Sequence, residues 1–316
     1  AGYIGSHACK ALAWGGWHPV SYDDLSQGHR GLVKWGPLEE GDIRDRARLD
    51  AVFARWRPEA VLHFAALSRV GDSVRQPDLY RDVNLTGTEH LLAAMHTASV
   101  KTLVFSSTAS VYGVPARLPI TEETPVVPTN PYGETKAAAE SAIRRAAEGG
   151  KLRYAILRYF NAAGADPEGE TGESHEPETH LIPNAIAAAL GKTPALEIFG
   201  DDYPTPDGTC VRDYVHVSDV AEAHVRALSR LAASAAPVTC DLGTGKGASV
   251  REIVATVETV TGCPVPVRKA PRRPGDPPVL YTAGEAARRE LDWRPEQSTL
   301  ATIVKDALRW EASGPC

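Results

Sequence analysis

Short apolar segments alternate with amphipathic, helix-like segments along the first half of the chain, and this order restricts the fold more than any other feature. AVLHFAAL and YAILRYFNAAG each read as one strand, and KTLVFSSTASVYG reads as a strand with its loop. SHACKALAWGG, NLTGTEHLLAAMHTA and NPYGETKAAAESAIRRAAE have the apolar spacing of helices. Strands that alternate with helices are typical of a parallel sheet with helices on both faces. The sequence therefore predicts a doubly wound α/β fold of the Rossmann type.

The regular alternation ends near residue 164, where the stretch ADPEGETGESHEPETHLIP is rich in glycine, proline and glutamate. We predict a domain boundary there. A first domain would cover residues 1–163, and a smaller α/β domain, partly interleaved with the first, would cover residues 164–316. A chain of 316 residues with 43% hydrophobic residues is large enough to bury a core in each.

The overall composition argues against several classes of partner. A net charge of −6 does not suit a surface that coats nucleic acid, and no apolar run is long enough to span a membrane. The cysteines are odd in number and form no C-x-x-C pair: they are Cys9, Cys210, Cys240, Cys263 and Cys316. We expect reduced thiols in a cytoplasmic protein, rather than disulfides or a zinc site.

The chain begins AGYIGSHACKAL, in which Gly2 and Gly5 match the last two glycines of a G-x-G-x-x-G turn. Such glycines let the backbone approach a pyrophosphate at the start of the following helix. Asp23 closes the next strand, where an acid binds an adenosine ribose 2′-hydroxyl and favours NAD over NADP. Two loop glycines and a solvated aspartate would give the same pattern. If the turn is real, a central strand is missing, and we expect NAD binding to improve when about ten residues are restored.

The segment NPYGETK places Tyr132 and Lys136 four residues apart on one helix face, with Asn130 and Pro131 suited to the helix start. A nearby ammonium and the positive nicotinamide of NAD⁺ would both favour the tyrosine phenolate. Lowering a tyrosine pKa by roughly 3 units takes about 4 kcal/mol. A surface pair with no chemical role has the same spacing. Thr108, at the end of the preceding strand, could hydrogen-bond the same substrate hydroxyl, which favours a catalytic role.

These motifs resemble the extended short-chain dehydrogenase/reductase superfamily and, within it, the UDP-glucose 4-epimerase family, also called UDP-galactose 4-epimerases. The matching segments are LHFAAL, NLTGT, VFSSTASVYG, NPYGETK, LRYFNAAGA and GDDYPTPDGTCVRDYVHVSDVAEAH. The resemblance runs from Ala1 almost to the C-terminus. It implies bound NAD, a UDP-sugar substrate that is transiently oxidised at C4, and a homodimer formed through the helices that follow Asn84 and Asn130.

The resemblance also assigns site residues. It implies that Tyr132 is the catalytic base, that Thr108 is its hydroxyl partner, and that Lys136 tunes Tyr132 and holds the nicotinamide ribose. The positions that match NAD contacts are Gly2, Tyr3, Ile4, Gly5, Asp23, Asp42, Ile43, Phe64, Ala65, Asn84, Lys136 and Tyr159. The positions that match substrate contacts are Thr108, Tyr132, Phe160, Asn161, Arg212, Arg273, Asp276 and Leu280. An arginine fork is a natural ligand for a pyrophosphate, which independently supports Arg212 and Arg273.

Two positions depart from the family pattern or leave the substrate open. Ser68 stands where a lysine often reaches the cofactor phosphates. Leu280 stands where the side chain controls the room beside the C2 substituent of the sugar, so acceptance of N-acetylated sugars stays open. UDP-xylose/arabinose and UDP-glucuronate 4-epimerases are further alternatives.

Other reactions fit less well. A 4,6-dehydratase needs an acidic pair after the threonine, where this chain has Ala109 and Ser110. A non-catalytic nucleotide-binding protein of this fold usually lacks the tyrosine or the lysine.

The segment ESHEPETH is the one place where metal ligands are concentrated. His175, Glu176, Glu178 and His180 lie close together in the sequence. Pro177 prevents one helix from presenting them on a single face. We therefore predict a loop on the substrate side and no metal site.

Overall fold

A computed structural model describes residues 1–234, 236–273 and 276–313. The helices are α1 (Tyr3–Trp14), α2 (Arg46–Trp56), α3 (Val70–Arg75), α4 (Pro77–Arg81), α5 (Gly87–Thr97), α6 (Pro131–Ala146), α7 (Leu181–Ala189), α8 (Val217–Ala233), α9 (Val250–Thr261), α10 (Glu285–Leu291) and α11 (Leu300–Ser313). The strands are β1 (Ser21–Asp23), β2 (Leu38–Glu40), β3 (Val61–His63), β4 (Thr102–Thr108), β5 (Arg153–Tyr159), β6 (Asn161–Ala163), β7 (Leu196–Phe199), β8 (Val211–Arg212), β9 (Tyr214–His216), β10 (Val238–Leu242), β11 (Ala248–Ser249), β12 (Val267–Ala270) and β13 (Val279–Leu280).

The central layer is a parallel sheet in two pieces. One piece pairs β1 with β2, and the other has the order β10-β5-β4-β3. Within the described residues β1 and β3 do not pair with each other, and both strands line one cavity.

Helices cover both faces of this sheet. Successive residues of a strand point to opposite faces, so in β4 Val104 packs into the core under α8, while Leu103 and Phe105 pack into the core under α5 and α6. In β5, Leu157 packs into the core under α8, and Ile156 packs into the core under α5 and α6. The predicted doubly wound α/β class is confirmed.

The second half of the chain forms smaller sheets and returns to the first. Strand β6 pairs with β9, β7 with β12, and β8 lies between β11 and β13. Helices α7, α9 and α11 share a separate core that includes Ile186, Ile253 and Ile303. Strand β10 joins the first sheet beside β5, and α8 packs on α1. The second half thus contributes to the first layer; the boundary between residues 163 and 164 stays a prediction.

The segment YAILRYFNAAG forms two strands rather than one. Strand β5 ends at Tyr159, and β6 begins at Asn161 in a different sheet, where the Asn161 N–H donates to the Asp213 carbonyl at 3.0 Å. The break at Phe160 turns the chain from the first sheet to the second.

None of the helices in the described part of the chain combines the length and apolarity needed to cross a bilayer. Of the cysteines, Cys9, Cys210, Cys240 and Cys263 are free thiols, and Cys316 lies outside the described residues.

Candidate active site

One large cavity of about 2510 Å³ contains most of the predicted site. It is lined by the ends of successive parallel strands, because Asp23 ends β1, Thr108 ends β4 and Tyr159 ends β5. This is the edge at which doubly wound folds bind their ligands. Every residue predicted for the site lines the cavity except Asp42 and Asn84.

The start of α1 is suited to an anion. Gly2 is the N-cap residue, and no side chain in the described ranges caps the helix. The amides of a first helical turn carry partial positive charge and are open to a ligand when uncapped. A Cβ added to Gly2 would meet no protein atom within 4 Å, so this side of the glycine faces open space. The turn and the neighbouring Tyr3, Ile4 and Gly5 fit a dinucleotide pyrophosphate.

The two predicted cofactor aspartates differ in their placement. Asp23 lines the cavity, where its carboxylate accepts hydrogen bonds from the Ala1 amino group and the Leu25 N–H, each at 2.8 Å. The Asp42 carboxylate instead binds the Arg44 guanidinium, at 2.6 Å from Nη2, and these hydrogen bonds lower the pKa of Asp42. Only Ile43, its neighbour, lines the cavity. An NAD contact by Asp42 therefore stays a prediction.

Asn84 lies in a π-helical turn, Asp82–Thr86, that leads into α5. Its Oδ1 accepts from the Leu67 N–H at 2.8 Å, and its Nδ2 donates to the Leu67 carbonyl at 2.9 Å and to Thr135 Oγ1 at 3.1 Å. The amide therefore ties the loop after β3 to α6. A direct cofactor contact by Asn84 stays a prediction, and its hydrogen bonds give it a positioning role for the loop that carries Phe64 and Ala65.

Tyr132 occupies the first turn of α6, which begins as the sequence predicts. Asn130 Oδ1 accepts from the Gly133 N–H at 2.9 Å, and Pro131 is the first helical residue. A Cβ on Gly133 would lie 2.5 Å from the Ser110 carbonyl oxygen, so the glycine lets α6 approach the loop after β4. That approach places the Tyr132 phenol close enough to Thr108 for the threonine hydroxyl to lower the pKa of the phenol.

Burial controls the protonation of Tyr132 and Lys136, both in α6. Desolvation raises the pKa of Tyr132 well above its usual value; the Tyr159 phenol raises it further, and the Thr108 hydrogen bond opposes the shift. Burial also lowers the pKa of Lys136 to about 8, against the charge of Glu140. The Lys136 ammonium donates to the Ser106 carbonyl at 2.9 Å. The protein alone therefore keeps Tyr132 neutral, and a phenolate requires a positive charge brought into the cavity.

A buried polar network beneath the site was not anticipated from the sequence. Glu140 accepts from Arg158 Nε at 2.8 Å and from Ser107 Oγ at 2.7 Å, and Arg158 Nη1 donates to the Tyr112 hydroxyl at 2.8 Å. Tyr112 in turn donates to Asp241 Oδ1 at 2.7 Å. Burial raises the pKa of Glu140, but the hydrogen bonds and charge of Arg158 outweigh this effect and hold that pKa below its usual value. The sequence signal for this network was Arg158, a charged residue inside the otherwise apolar run AILRYF.

The other end of the cavity carries two arginines. Arg212 Nη2 donates to Asp276 Oδ1 at 2.9 Å, and the Arg273 guanidinium lies 3.9 Å from the centre of the Phe199 ring. Strand pairing places Leu280 opposite Arg212.

The remaining predicted substrate residues lie at the same end. Phe160 and Leu280 pack on the small core around Tyr112, and Asn161, at the start of β6, also lines the cavity. The structure thus brings the predicted substrate residues together around two guanidinium groups that can bind phosphates.

The segment ESHEPETH departs from the sequence-based expectation. It is a loop before α7, as predicted, yet the ligating atoms of Glu173, His175, Glu178 and His180 all lie within 4.8 Å of one another. The inference from Pro177 was that these side chains could not share one helix face. Glu173 takes the place of the predicted Glu176 in this group, and the loop brings the four side chains together without a helix. The argument from Pro177 therefore does not apply to this group, and the absence of a metal stays a prediction.

A doubly wound parallel sheet, an open helix start at its ligand edge and a buried Tyr–Thr–Lys group define a Rossmann-type, dinucleotide-dependent enzyme. More narrowly, the chain belongs to the NAD dependent epimerase/dehydratase family, whose model matches residues 1–243.

Known relatives and solved structures agree with this assignment. The UDP-glucose 4-epimerase of Rhizobium leguminosarum bv. trifolii is 51% identical over 312 residues, which cover 99% of this chain and 95% of the relative. The structure of UDP-glucose 4-epimerase from Brucella ovis in complex with NAD is 49% identical, with a TM-score of 0.95 over 98% of this chain and 95% of that one. The enzyme from Bifidobacterium longum in complex with NAD⁺ and UDP is 38% identical, with a TM-score of 0.95 over 100% and 97% of the two chains.

Proposed function

We propose that this chain is an isomerase that interconverts UDP-glucose and UDP-galactose, with NAD as its cofactor. The observation that carries the proposal is the buried Tyr132 side chain, which lines one cavity together with Thr108, Lys136, the start of α1 and Arg212. The names of the relatives support this substrate, and the complexes with NAD and UDP support the cofactor and the nucleotide.

The residues that would hold NAD lie along the strand ends. The turn from Gly2 to Gly5 and the uncapped start of α1 suit the pyrophosphate, and Lys136 and Tyr159 line the cavity near Tyr132. When bound, NAD⁺ supplies a hydride acceptor for C4 of the sugar and, once reduced, returns that hydride. The protein contributes position and charge rather than the redox chemistry.

Tyr132 is the group that moves the proton. Its phenol lies in a dry part of the cavity, where Thr108 can orient the 4-hydroxyl of a sugar toward it. Because burial alone keeps the phenol protonated, Tyr132 acts as a base when a positive charge stands nearby. The proton that it accepts during oxidation returns to the 4-oxygen during reduction, so net proton transfer to the protein is zero.

Inversion at C4 requires the sugar to present its other face before it is reduced. The protein must therefore hold the nucleotide part of the substrate more firmly than the sugar. The guanidinium groups of Arg212 and Arg273 line the cavity and suit the two phosphates. Leu280 lies beside Arg212, and acceptance of UDP-xylose/arabinose, UDP-N-acetylhexosamines or UDP-glucuronate depends on the space around it.

We also propose a cytoplasmic homodimer. The family resemblance supports contact through α5 and α6, and Val70, Val74 and Leu79 of α3 and α4 are exposed apolar residues on helices that pack beside α6. Light scattering measures the mass of the particle, and Val74→Lys is expected to shift it toward the monomer if this surface is covered.

The reaction itself is tested by running it in deuterium oxide. UDP-galactose labelled with deuterium at C4 is expected to keep its label in the UDP-glucose product, and unlabelled substrate is expected to gain none. Nuclear magnetic resonance of the product measures both. Deuterium gained at C4 from the solvent would show proton exchange at carbon and would refute the oxidation route.

A further inference from the structure

We propose that Glu173, His175, Glu178 and His180 form a binding site for a divalent cation of the zinc class. These four residues, here called the loop cluster, lie in the second predicted domain and line the same cavity as Tyr132 and Thr108. The site would go beyond the epimerase activity and does not depend on it. Its role would be structural, because four protein ligands leave no open position for a reacting water.

The donor atoms of the loop cluster already surround one point. His175 Nδ1 lies 2.9 Å from Glu173 Oε1 and 3.7 Å from Glu178 Oε2. His180 Nδ1 contacts the same oxygen of Glu173, and all four donors lie within 4.8 Å of one another. A tetrahedral zinc ion with bonds of about 2.1 Å separates its ligands by about 3.4 Å. Small side-chain rotations would therefore bring all four donors to coordination distance.

The surrounding hydrogen bonds orient the Glu178 carboxylate and hold the backbone of Glu173. Glu178 Oε1 accepts from the N–H groups of Thr179 at 2.6 Å and His180 at 2.7 Å, so that Oε2 is directed toward His175. Glu173 is only 7% exposed, and its carbonyl accepts from Trp310 Nε1 at 2.7 Å. Orienting bonds of this kind accompany functional metal ligands.

A second group of carboxylates is paired with a lysine, whereas the ion pairs of Glu173 and Glu178 are with His175 and His180. Asp166, Glu168 and Glu170 also converge, but the Lys10 ammonium lies 2.6–2.8 Å from an oxygen of each. Among the described residues, no lysine or arginine forms an ion pair with Glu173 or Glu178. The loop cluster thus presents two carboxylates and two imidazoles and no thiolate, a donor set that suits Zn²⁺ and its spectroscopic substitute Co²⁺.

A cation here would fasten the loop across the two halves of the fold. His29 Nε2 and the Ser174 carbonyl oxygen are 2.8 Å apart, and Arg69 Nη2 donates to the carbonyls of Glu176 and Pro177, each at 3.1 Å. Helix α7 begins directly after His180. The bound ion would join segments from the first half of the chain to the start of α7, at the edge of the cavity.

The test is titration of the chelator-treated full chain with Co²⁺ and Zn²⁺, followed by calorimetry and visible spectroscopy. We expect one equivalent of metal, the visible bands of a four-coordinate Co²⁺ ion, no thiolate charge-transfer band, and displacement of Co²⁺ by Zn²⁺. The midpoint of thermal unfolding should rise with metal concentration, because the ion binds the folded chain.

Variants separate this site from adventitious binding. His175→Asn and, separately, Glu178→Gln should each weaken binding at least about 100-fold, since loss of a direct ligand should exceed the effect of an outer-shell change. His96→Asn, an exposed histidine of α5, is the matched control and should bind metal as the parent does. Circular dichroism without metal shows whether each variant folds. The proposal is overturned if no stoichiometric metal binds, if both folded ligand variants retain parent affinity, or if Co²⁺ shows a thiolate band.

Discussion

Gly133 lies next to Tyr132, the proposed catalytic base, and its replacement by alanine tests how the site is positioned. The added Cβ would lie 2.5 Å from the Ser110 carbonyl oxygen and 3.0 Å from Pro128 Cβ. The first of these atoms belongs to the backbone and cannot rotate away. The methyl group would therefore push α6 away from the loop after β4.

The expected cost follows from two opposing effects. Overpacking of this kind costs about 1–3 kcal/mol, whereas alanine gains about 1 kcal/mol over glycine in a helix. Stability should therefore fall by at most about 2 kcal/mol. The effect on catalysis should be larger, because a shift of about 1 Å between reacting groups can cost about 100-fold in rate. Gly133 adjoins Tyr132, and Ser110 is two residues from Thr108. The added methyl group would therefore move the Tyr132 phenol away from the Thr108 hydroxyl.

The assay compares kcat for UDP-galactose with the midpoint of urea unfolding. Gly71→Ala is the matched control, since Gly71 also lies in a helix but a Cβ there would meet only the tip of Arg75 at 4.0 Å. We expect Gly133→Ala to lose about 100-fold in kcat, while the control keeps parental kcat and gains up to about 1 kcal/mol in stability. A Gly133→Ala protein with parental kcat would refute the view that this close approach sets the Tyr132–Thr108 contact.

Three further outcomes are expected. Tyr132→Phe should retain NAD but lose at least about 100-fold in turnover, measured beside Tyr154→Phe; a near-parental rate would remove Tyr132 from the base role. Arg212→Ala should weaken UDP binding about 10- to 100-fold by calorimetry, and an unchanged Kd would exclude Arg212 from the phosphate site. Burial raises the pKa of Asp241 to about 7, so the folded chain holds a proton that the unfolded chain loses from about pH 4 upward, and stability should fall as the pH rises from about 4 to 7. Asp241→Asn should flatten that fall in urea unfolding, and an unchanged slope would contradict it.

Local signals in the sequence predicted the centre of the site well. The start of α6 depends on Asn130, Pro131 and a four-residue spacing, and each acts within one helical turn. The order of strands and helices likewise follows from apolar spacing that short windows reveal. These features could be predicted because the physical cause and the sequence pattern occupy the same few residues.

The parts that sequence reasoning missed depend on which partner a side chain takes in the folded chain, whether that partner is near in sequence, as for Asp42, or farther away, as for Asn84. A match to a family pattern does not show that the Asp42 carboxylate binds Arg44. It also does not show that the Asn84 amide is hydrogen-bonded to Leu67, which lies 17 residues away. The loop cluster was missed for a different reason. Helical periodicity does not predict which side chains of an irregular loop lie close together. Its histidines and glutamates were visible in the sequence, but their convergence was not.

The protonation of Tyr132 connects these observations. A buried phenol that is ionised at rest would need a permanent positive partner, yet the groups that shift the pKa of Tyr132 do not include Lys136, whose ammonium donates to the Ser106 carbonyl. The structure instead holds Tyr132 neutral by burial and adds only the Thr108 hydrogen bond in favour of the phenolate. The missing charge can come from an oxidised nicotinamide, which is positive, whereas the reduced form is neutral. Beside the positive nicotinamide the pKa of Tyr132 would be lowered, so that a phenolate is available to take the proton of the 4-hydroxyl. Beside the neutral reduced form that pKa would rise, and the phenol would hold the proton until the 4-oxygen regains negative charge as the hydride returns to C4. One phenol can serve both half-reactions because the charge that tunes it changes with the redox state of its neighbour.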